Sequence, residues 1–239
     1  SWNWKANGAG SANTDGSINT TYTSANTTAG FSIIKYAGTG SSGTIGHGLS
    51  ATPKVLIIKE IDGTESWRVW HRDAPNYSTT ALSLNSSSAE FSQTNWIGTV
   101  DNSIITLGTD SSINTSGNNY ICYAFAEKQG FSKFSSYTGN GNNDGSFIYT
   151  GFSTAFVMTK NIGATENWAI WDNKRIPFNA NTTILRADSA NAETSGYSVD
   201  FVSNGFKLRG GDGKINGTGA SYIYMAFAEA PIVGTNNIP

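Results

Sequence analysis

Short runs of apolar residues alternate with clusters of polar turn residues along most of the chain. Lys54-Val-Leu-Ile-Ile-Lys59 is a continuous apolar run of the kind found in central strands, and Asp62-Gly63 after it is a hairpin signal. No stretch shows clear helical periodicity. The pattern predicts an all-β protein, with further strands near residues 31–36, 65–71, 81–85, 102–108 and 120–127.

One strand-like segment occurs twice. Glu65-Ser-Trp-Arg-Val-Trp70 recurs as Glu166-Asn-Trp-Ala-Ile-Trp171, and residues 120–127 recur as 222–229 with few changes. A repeat this long indicates tandem globular modules, because solenoid repeats are only about 20–50 residues long. We therefore predict two tandem antiparallel β-sandwich modules of jelly-roll-like type, related by internal duplication. The expected domains are an N-terminal arm at 1–30, module 1 at 31–129, module 2 at 130–231 and a C-terminal tail at 232–239.

Alternation within the strands assigns their two faces. Ile121, Tyr123 and Phe125 are predicted to face the core, together with their counterparts in module 2. The opposite face, with Tyr120 and Cys122, is predicted to be covered by another module or subunit. Three large aromatic residues are expected at such an interface: Trp70, Trp171 and Tyr224.

Composition and charge exclude several classes of function. Only 13% of the 239 residues are charged and the net charge is −2, so the basic patch of a nucleic-acid-binding protein is missing. Cys122 is the one cysteine, which excludes an intrachain disulfide and a cysteine-based metal site. No apolar run approaches the roughly 20 residues of a membrane-spanning helix. The chain begins with Ser-Trp, and we interpret it as a fragment of a longer protein.

No reaction centre is recognisable in the sequence. The sequence has two histidines, His47 and His71, but no G-x-S-x-G motif that would supply a nucleophilic serine. The two histidines are also not at the spacing of metal ligands. Residues 140–145 resemble the start of a calcium loop, but Gly151 stands where the bidentate glutamate belongs. Residues present in both modules, such as Glu65 and Glu166 or Lys59 and Lys160, are interpreted as structural. We therefore expect no enzyme activity, no cofactor and no metal.

Residues that differ between the modules are better candidates for function. Aromatic rings in Gly/Ser/Asn-rich loops can stack on a sugar, while neighbouring polar groups bind its hydroxyls. Alternatively, these rings fill the ends of each sandwich. The candidate ligand-binding residues are Tyr77, Trp96, Tyr197, Arg209 and Asp212.

Several strings of the sequence resemble a known group of viral proteins. They include Trp4-Lys-Ala-Asn-Gly8, Gly46-His-Gly-Leu49 and residues 24–33, 131–141, 149–152, 199–209 and 222–231. On these strings the chain is similar to the C-terminal tandem-repeat region of tail-fibre proteins from marine tailed bacteriophages. Module 1 departs from the pattern, since it has neither the lysine nor the arginine of Lys207-Leu-Arg209.

The resemblance implies an extracellular part of the virion that helps the phage attach to its host. The expected partners are a host cell-surface glycan or outer-membrane protein, together with further copies of the chain in a homotrimer. Nucleic acid and membrane insertion are not expected. Two alternatives stay open: a structural or trimerising fibre module without receptor contact, and a polysaccharide depolymerase.

Overall fold

The computed structural model describes residues 2–229, so the predicted tail at 232–239 lies outside the described residues. Strands make up 43% of these residues and helix 2%, and the strands pair antiparallel in several sheets. The predicted all-β class is thus confirmed. Over residues 2–229, no helix has the length and hydropathy needed to cross a membrane. The chain forms two compact units: one extends to Leu84 and resumes over Phe91–Glu127, and the other comprises Asn85–Glu90 and the described residues from Lys128 onward.

The first unit is built from a larger and a smaller sheet. Its elements are β1 (Tyr22–Asn26), β2 (Phe31–Ala37), β3 (Gly43–Gly46), β4 (Val55–Glu60), β5 (Arg68–His71), β6 (Thr80–Ser83), β7 (Phe91–Ser92), β8 (Ile97–Val100), β9 (Ile104–Leu107), α1 (Ser111–Asn114) and β10 (Asn119–Phe125). The larger sheet has the order β1-β2-β10-β4-β5-β6-β7 and the smaller β3-β9-β8. Asp110 caps α1 by accepting a hydrogen bond from the Ser112 backbone N–H.

The second unit contains two four-stranded sheets. Its strands are β11 (Ser132–Thr138), β12 (Phe147–Tyr149), β13 (Thr154–Asn161), β14 (Ala169–Asp172), β15 (Asn181–Ile184), β16 (Thr194–Val202), β17 (Gly205–Arg209) and β18 (Ser221–Ala228). One sheet has the order β11-β18-β13-β14 and the other β12-β17-β16-β15. The neighbouring strands β2, β10, β4 and β5 of the first unit correspond, in chain order and in pairing, to β11, β18, β13 and β14 of the second unit. The internal duplication itself stays a prediction.

The core of each unit lies on the strand faces that the sequence interpretation assigned to a neighbour. Tyr120 and Cys122 are fully buried among Ile45, Ile105 and Leu107 of the smaller sheet. Trp70 belongs to the same cluster, and Trp171 and Tyr224 belong to the corresponding cluster of the second unit.

The prediction that Trp70, Trp171 and Tyr224 face another module or subunit is therefore wrong. Their exposed fractions are 1%, 0% and 3%, so each side chain is used by the core of its own unit. Of the residues that were predicted to face the core, Ile121 and Tyr123 are only partly buried, whereas Phe125 and the module 2 counterparts Ile223, Met225 and Phe227 are buried. The assignment failed because β10 is apolar on both faces, and alternation alone does not show which face meets the second sheet.

A stacked tyrosine pair secures the loop before the last strand in each unit. Tyr137 on β11 lies opposite Tyr222 on β18, with ring centroids 4.7 Å apart and planes within 6°. The Tyr137 hydroxyl donates to the Ile215 carbonyl at 2.7 Å. The Tyr222 hydroxyl donates to the Gly213 carbonyl at 2.6 Å and accepts from the Gly217 N–H at 2.8 Å. Tyr36 and Tyr120 form the equivalent stack in the first unit, at 5.3 Å.

The N-terminal segment is integrated into the first unit. Ser11 forms a bridge with Thr23, and β1 pairs with β2 over its whole length. Ile18 N–H donates to the Thr44 carbonyl at 2.9 Å, so this segment also lines the outer edge of β3. Residues 2–30, which fall in the predicted N-terminal arm, thus contribute a strand to the larger sheet of the first unit.

Lys160 holds several loops of the second unit together. Its ammonium is fully buried and donates to the carbonyls of Asn161 and Glu166, both at 2.8 Å, of Ser87 at 3.2 Å and of Ala164 at 3.3 Å. Burial lowers the pKa of Lys160 from 10.5 to about 8. Its role is structural, because its donors are committed to backbone oxygens.

Candidate functional site

Two of the sequence-predicted ligand residues lie in or against the first core. Trp96 is 2% exposed and belongs to the core cluster, so it is not a surface ring. Tyr77 is half-buried and packs edge-on against Trp70, with ring centroids 5.7 Å apart. These positions match the alternative reading, in which loop aromatics fill the sandwich.

Tyr197 and Asp212 mainly support the loop that precedes β18. The Lys214 ammonium lies over the half-buried Tyr197 ring at 5.1 Å from its centroid, and the Tyr197 carbonyl accepts from Trp171 Nε1 at 2.8 Å. The Asp212 carboxylate accepts from the Lys214 backbone N–H at 2.8 Å. Both residues therefore have local structural partners, although Asp212 is exposed.

Arg209 lies on an outer face formed by β12, β17 and β16, which we call the outer face of the second unit. Alternate residues of these strands, Ile148, Phe206, Leu208 and Val199, point into the core. Their neighbours therefore point outward, because successive side chains of a strand lie on opposite sides. Cross-strand pairing arranges these outward residues in rows: Tyr149–Gly205–Val202, Phe147–Lys207–Asp200 and Arg209–Ser198.

Two exposed aromatic rings occupy the edge strand of this face. Phe147 is 48% exposed and Tyr149 is 65% exposed, although large apolar side chains are usually buried. They are two residues apart on β12, which places their Cα atoms roughly 7 Å apart on the same side. A Cβ atom on Gly205 would lie 3.2 Å from Phe147 Cε2, so the absence of a side chain there leaves room for the ring.

A chain of ion pairs continues the face beyond the rings. Lys207 Nζ lies 2.9 Å from Asp144 Oδ1, and Arg209 contacts the same oxygen at 3.4 Å. On its other side Arg209 Nε donates to Asp200 Oδ2 at 2.6 Å. The hydrogen bond from Lys207 lowers the pKa of the Asp144 carboxyl group, so it is ionised at neutral pH. The result is an ordered row of alternating donors and acceptors.

Buried Asn216 fixes the loop that carries Asp144. Its side-chain amide donates to Asn140 Oδ1 and the Gly210 carbonyl, both at 2.8 Å, and to the Asn142 carbonyl at 3.1 Å. Its Oδ1 accepts from the Asn140 backbone N–H at 3.0 Å. Residues 140–145, which resemble a calcium loop in sequence, are thus held in place by the side-chain amide of Asn216.

The equivalent edge of the first unit is occupied by the chain itself. A Cβ on Gly43 would lie 2.8 Å from Ile18 Cδ1, and one on Gly46 would lie 1.7 Å from Asn13 Oδ1. Aligning Ile45 with Ile148 places Tyr149 at the position of Gly46. A segment cannot lie over β12 as the N-terminal segment lies over β3, because the Tyr149 ring would occupy its place. The aromatic face is therefore specific to the second unit.

The described residues hold no cluster of metal-binding side chains at this face. Within residues 2–229 there is no group of three or more His, Cys, Asp or Glu side chains that could hold a metal ion. His47 is buried, its Nδ1 accepts from the Leu49 N–H at 3.2 Å, and burial lowers its pKa. Glu166 contacts Lys214 at 2.8 Å, consistent with the structural interpretation of the repeated carboxylates.

Sequence reasoning identified Arg209 but missed Phe147 and Tyr149. Both lie in Ser-Phe-Ile-Tyr, which reads as an ordinary buried strand. A comparison of β3 with β12 would have pointed to both, because Tyr149 stands at the position of Gly46 and Phe147 at the position of Thr44.

Comparison with known proteins gave a family but no described relative. Neither the curated proteins nor the solved structures contain a match to the chain. A family model described as a domain of unknown function, DUF7483, matches residues 1–231. Since this match covers nearly the whole chain, the protein belongs to the DUF7483 family.

Proposed function

We propose that the chain is a segment of a bacteriophage tail fibre that attaches the virion to its host by binding a cell-surface glycan. The outer face of the second unit is the binding site in this proposal. The observation that carries it is the pair of exposed rings, Phe147 and Tyr149, beside the ordered side chains of Lys207 and Arg209. The tail-fibre context and extracellular location rest on the sequence resemblance alone.

The chemistry of the face suits a carbohydrate. Aromatic rings stack on the apolar faces of sugar rings. Binding a sugar also removes the exposed rings from water, which lowers the free energy. Lys207 and Arg209 supply hydrogen-bond donors, while Asp144 and Asp200 supply acceptors. Because each polar group is already held by a partner, little conformational entropy is lost when a ligand binds.

A binding role is favoured over hydrolysis. A glycosidase needs one carboxylic acid whose pKa is raised so that it can protonate the leaving group. Asp144 has the opposite property, since Lys207 lowers the pKa of its carboxyl group.

The trimerising alternative loses the observation that motivated it, because Trp70, Trp171 and Tyr224 lie in the cores of their units. The homotrimer remains a proposal from the resemblance.

A glycan array tests the proposal. The wild-type protein should bind a subset of glycans, and Phe147→Ala/Tyr149→Ala should lose that binding, by about 10-fold or more, because buried aromatic anchors dominate binding energies. Tyr22→Ala is the matched control, since Tyr22 is 53% exposed and lies on β1 of the first unit. Binding that is equal in the double variant and the wild type would overturn the proposed site.

A further inference from the structure

We infer that the glycan section held by the outer face is uncharged, such as a neutral hexose polymer, rather than one rich in uronic acids or phosphate. This inference rests on the proposed function. It concerns selectivity among glycans and follows from the balance and order of the charges on the face.

Each cation on the face is already neutralised. Lys207 is paired with Asp144 at 2.9 Å, and Arg209 is paired with Asp200 at 2.6 Å and with Asp144 at 3.4 Å. An acidic sugar could form a new ion pair only by displacing one of these carboxylates. The displaced carboxylate would then lose its partner, so the exchange yields little free energy.

The most exposed charge of the face is negative. The exposed side-chain fraction is 82% for Asp144, against 42% for Arg209, 25% for Lys207 and 15% for Asp200. A polymer that approaches from solvent therefore meets a carboxylate before the cations. This carboxylate repels polyanions, and such a repulsive group provides selectivity against the wrong ligand.

Neutral sugars are not repelled by Asp144 and need not displace a carboxylate from its ion pair. A hydroxyl group both donates and accepts, so a pair of hydroxyls can donate to a carboxylate and accept from the neighbouring guanidinium or ammonium group. The face presents these groups in alternating order, next to rings that stack on uncharged carbon surfaces.

Affinity electrophoresis in native gels that contain one soluble polymer each tests the inference. Suitable polymers are dextran and galactomannan as neutral probes, and polygalacturonate and alginate as acidic probes. The wild-type protein should be retarded by at least one neutral polymer and by neither acidic one. Asp144→Asn should gain about fivefold in affinity for an acidic polymer, because it frees a positive charge, and added salt should remove this gain.

Glu229→Gln is the control, since it makes the same change in net charge. Glu229 follows the end of β18, which is a strand of the other sheet. Wild-type retardation by an acidic polymer that depends on Phe147 and Tyr149 would overturn the selectivity and leave the proposed function standing. If no polymer retards the protein and the glycan array is also blank, both the selectivity and the proposed function are overturned.

Discussion

Phe147 on β12 pairs in register with Lys207 on β17, so an exposed aromatic ring lies beside an ammonium group that Asp144 holds at 2.9 Å. The equivalent pair in the first unit is Thr44 with Thr106. Strands in equivalent positions thus carry a ring and a charge in one unit and two small hydroxyl side chains in the other. This contrast locates the proposed function in the second unit.

Asn216 should act on the site through the loop that carries Asp144. Asn216→Ala removes its hydrogen bonds to Asn140, Asn142 and Gly210, and leaves buried groups unsatisfied. We expect a loss of at least about 2 kcal/mol in unfolding free energy, measured by urea denaturation. Asn143→Ala, at an exposed position of the same loop, should change stability by less than about 0.5 kcal/mol. Equal stabilities of the two variants would contradict the role of Asn216.

Removal of a hydroxyl group from the stacked tyrosines should lower the stability of the protein. Tyr222→Phe keeps the ring stack with Tyr137 but leaves the Gly213 carbonyl and Gly217 N–H without their partner. The expected cost is about 1–3 kcal/mol in the free energy of unfolding. Tyr149→Phe removes a hydroxyl from an exposed ring and serves as the comparison. A Tyr222→Phe protein as stable as Tyr149→Phe would show that the loop does not depend on these bonds.

Lys160 should make stability rise with pH in an alkaline window. Its folded pKa of about 8 lies below the ordinary value of 10.5, so the unfolded chain binds more protons between these values. Stability therefore increases from pH 8 to pH 10.5, by at most about 3.5 kcal/mol at about 1.4 kcal/mol per unit of pKa. Below pH 8 the cost of burying the charge is fully present.

The comparison of the wild type with Lys160→Met isolates this effect. Buried tyrosines such as Tyr36 have raised pKa values and destabilise both proteins at high pH, so they cancel in the difference. The difference in unfolding free energy, wild type minus variant, should grow across pH 8–10. Lys174→Met controls for the lost charge. A difference that stays constant with pH would contradict the lowered pKa.

Cys122 should report the opening of the first unit. Its side chain is fully buried and burial raises the pKa of the thiol, so the reactive thiolate is scarce in the native protein. Ellman's reagent should react with none of the native thiol within minutes and with one thiol per chain in guanidinium chloride. The rate in increasing urea should follow the unfolding of the core around Trp70. Rapid native labelling would show that this core opens.

The strands were largely predictable because each core strand carries its own apolar run between turn residues. β4 and β10 are examples, and their observed bounds differ from the prediction by one or two residues. β1 was missed because Tyr22-Thr-Ser-Ala-Asn26 is mostly polar and joins the sheet through backbone hydrogen bonds to β2. Local sequence does not report such pairing.

The candidate site was less predictable, because it depends on which side of a strand meets solvent. Trp96 stands among polar residues but fills the first core, whereas Tyr149 stands in an apolar run and is exposed. In each case the position of the second sheet decides the outcome, and no local pattern records it. Arg209 reaches the outer face because β17 alternates strictly between Phe206 and Leu208 inward and charged residues outward.

A crystal structure of the chain with an oligosaccharide from the array tests the central claim most directly. The account predicts a sugar ring stacked on Phe147 or Tyr149, with hydroxyl groups hydrogen-bonded to Lys207, Arg209 or Asp144. A sugar bound elsewhere, such as at the Tyr77 loop of the first unit, with the outer face of the second unit empty, would contradict it.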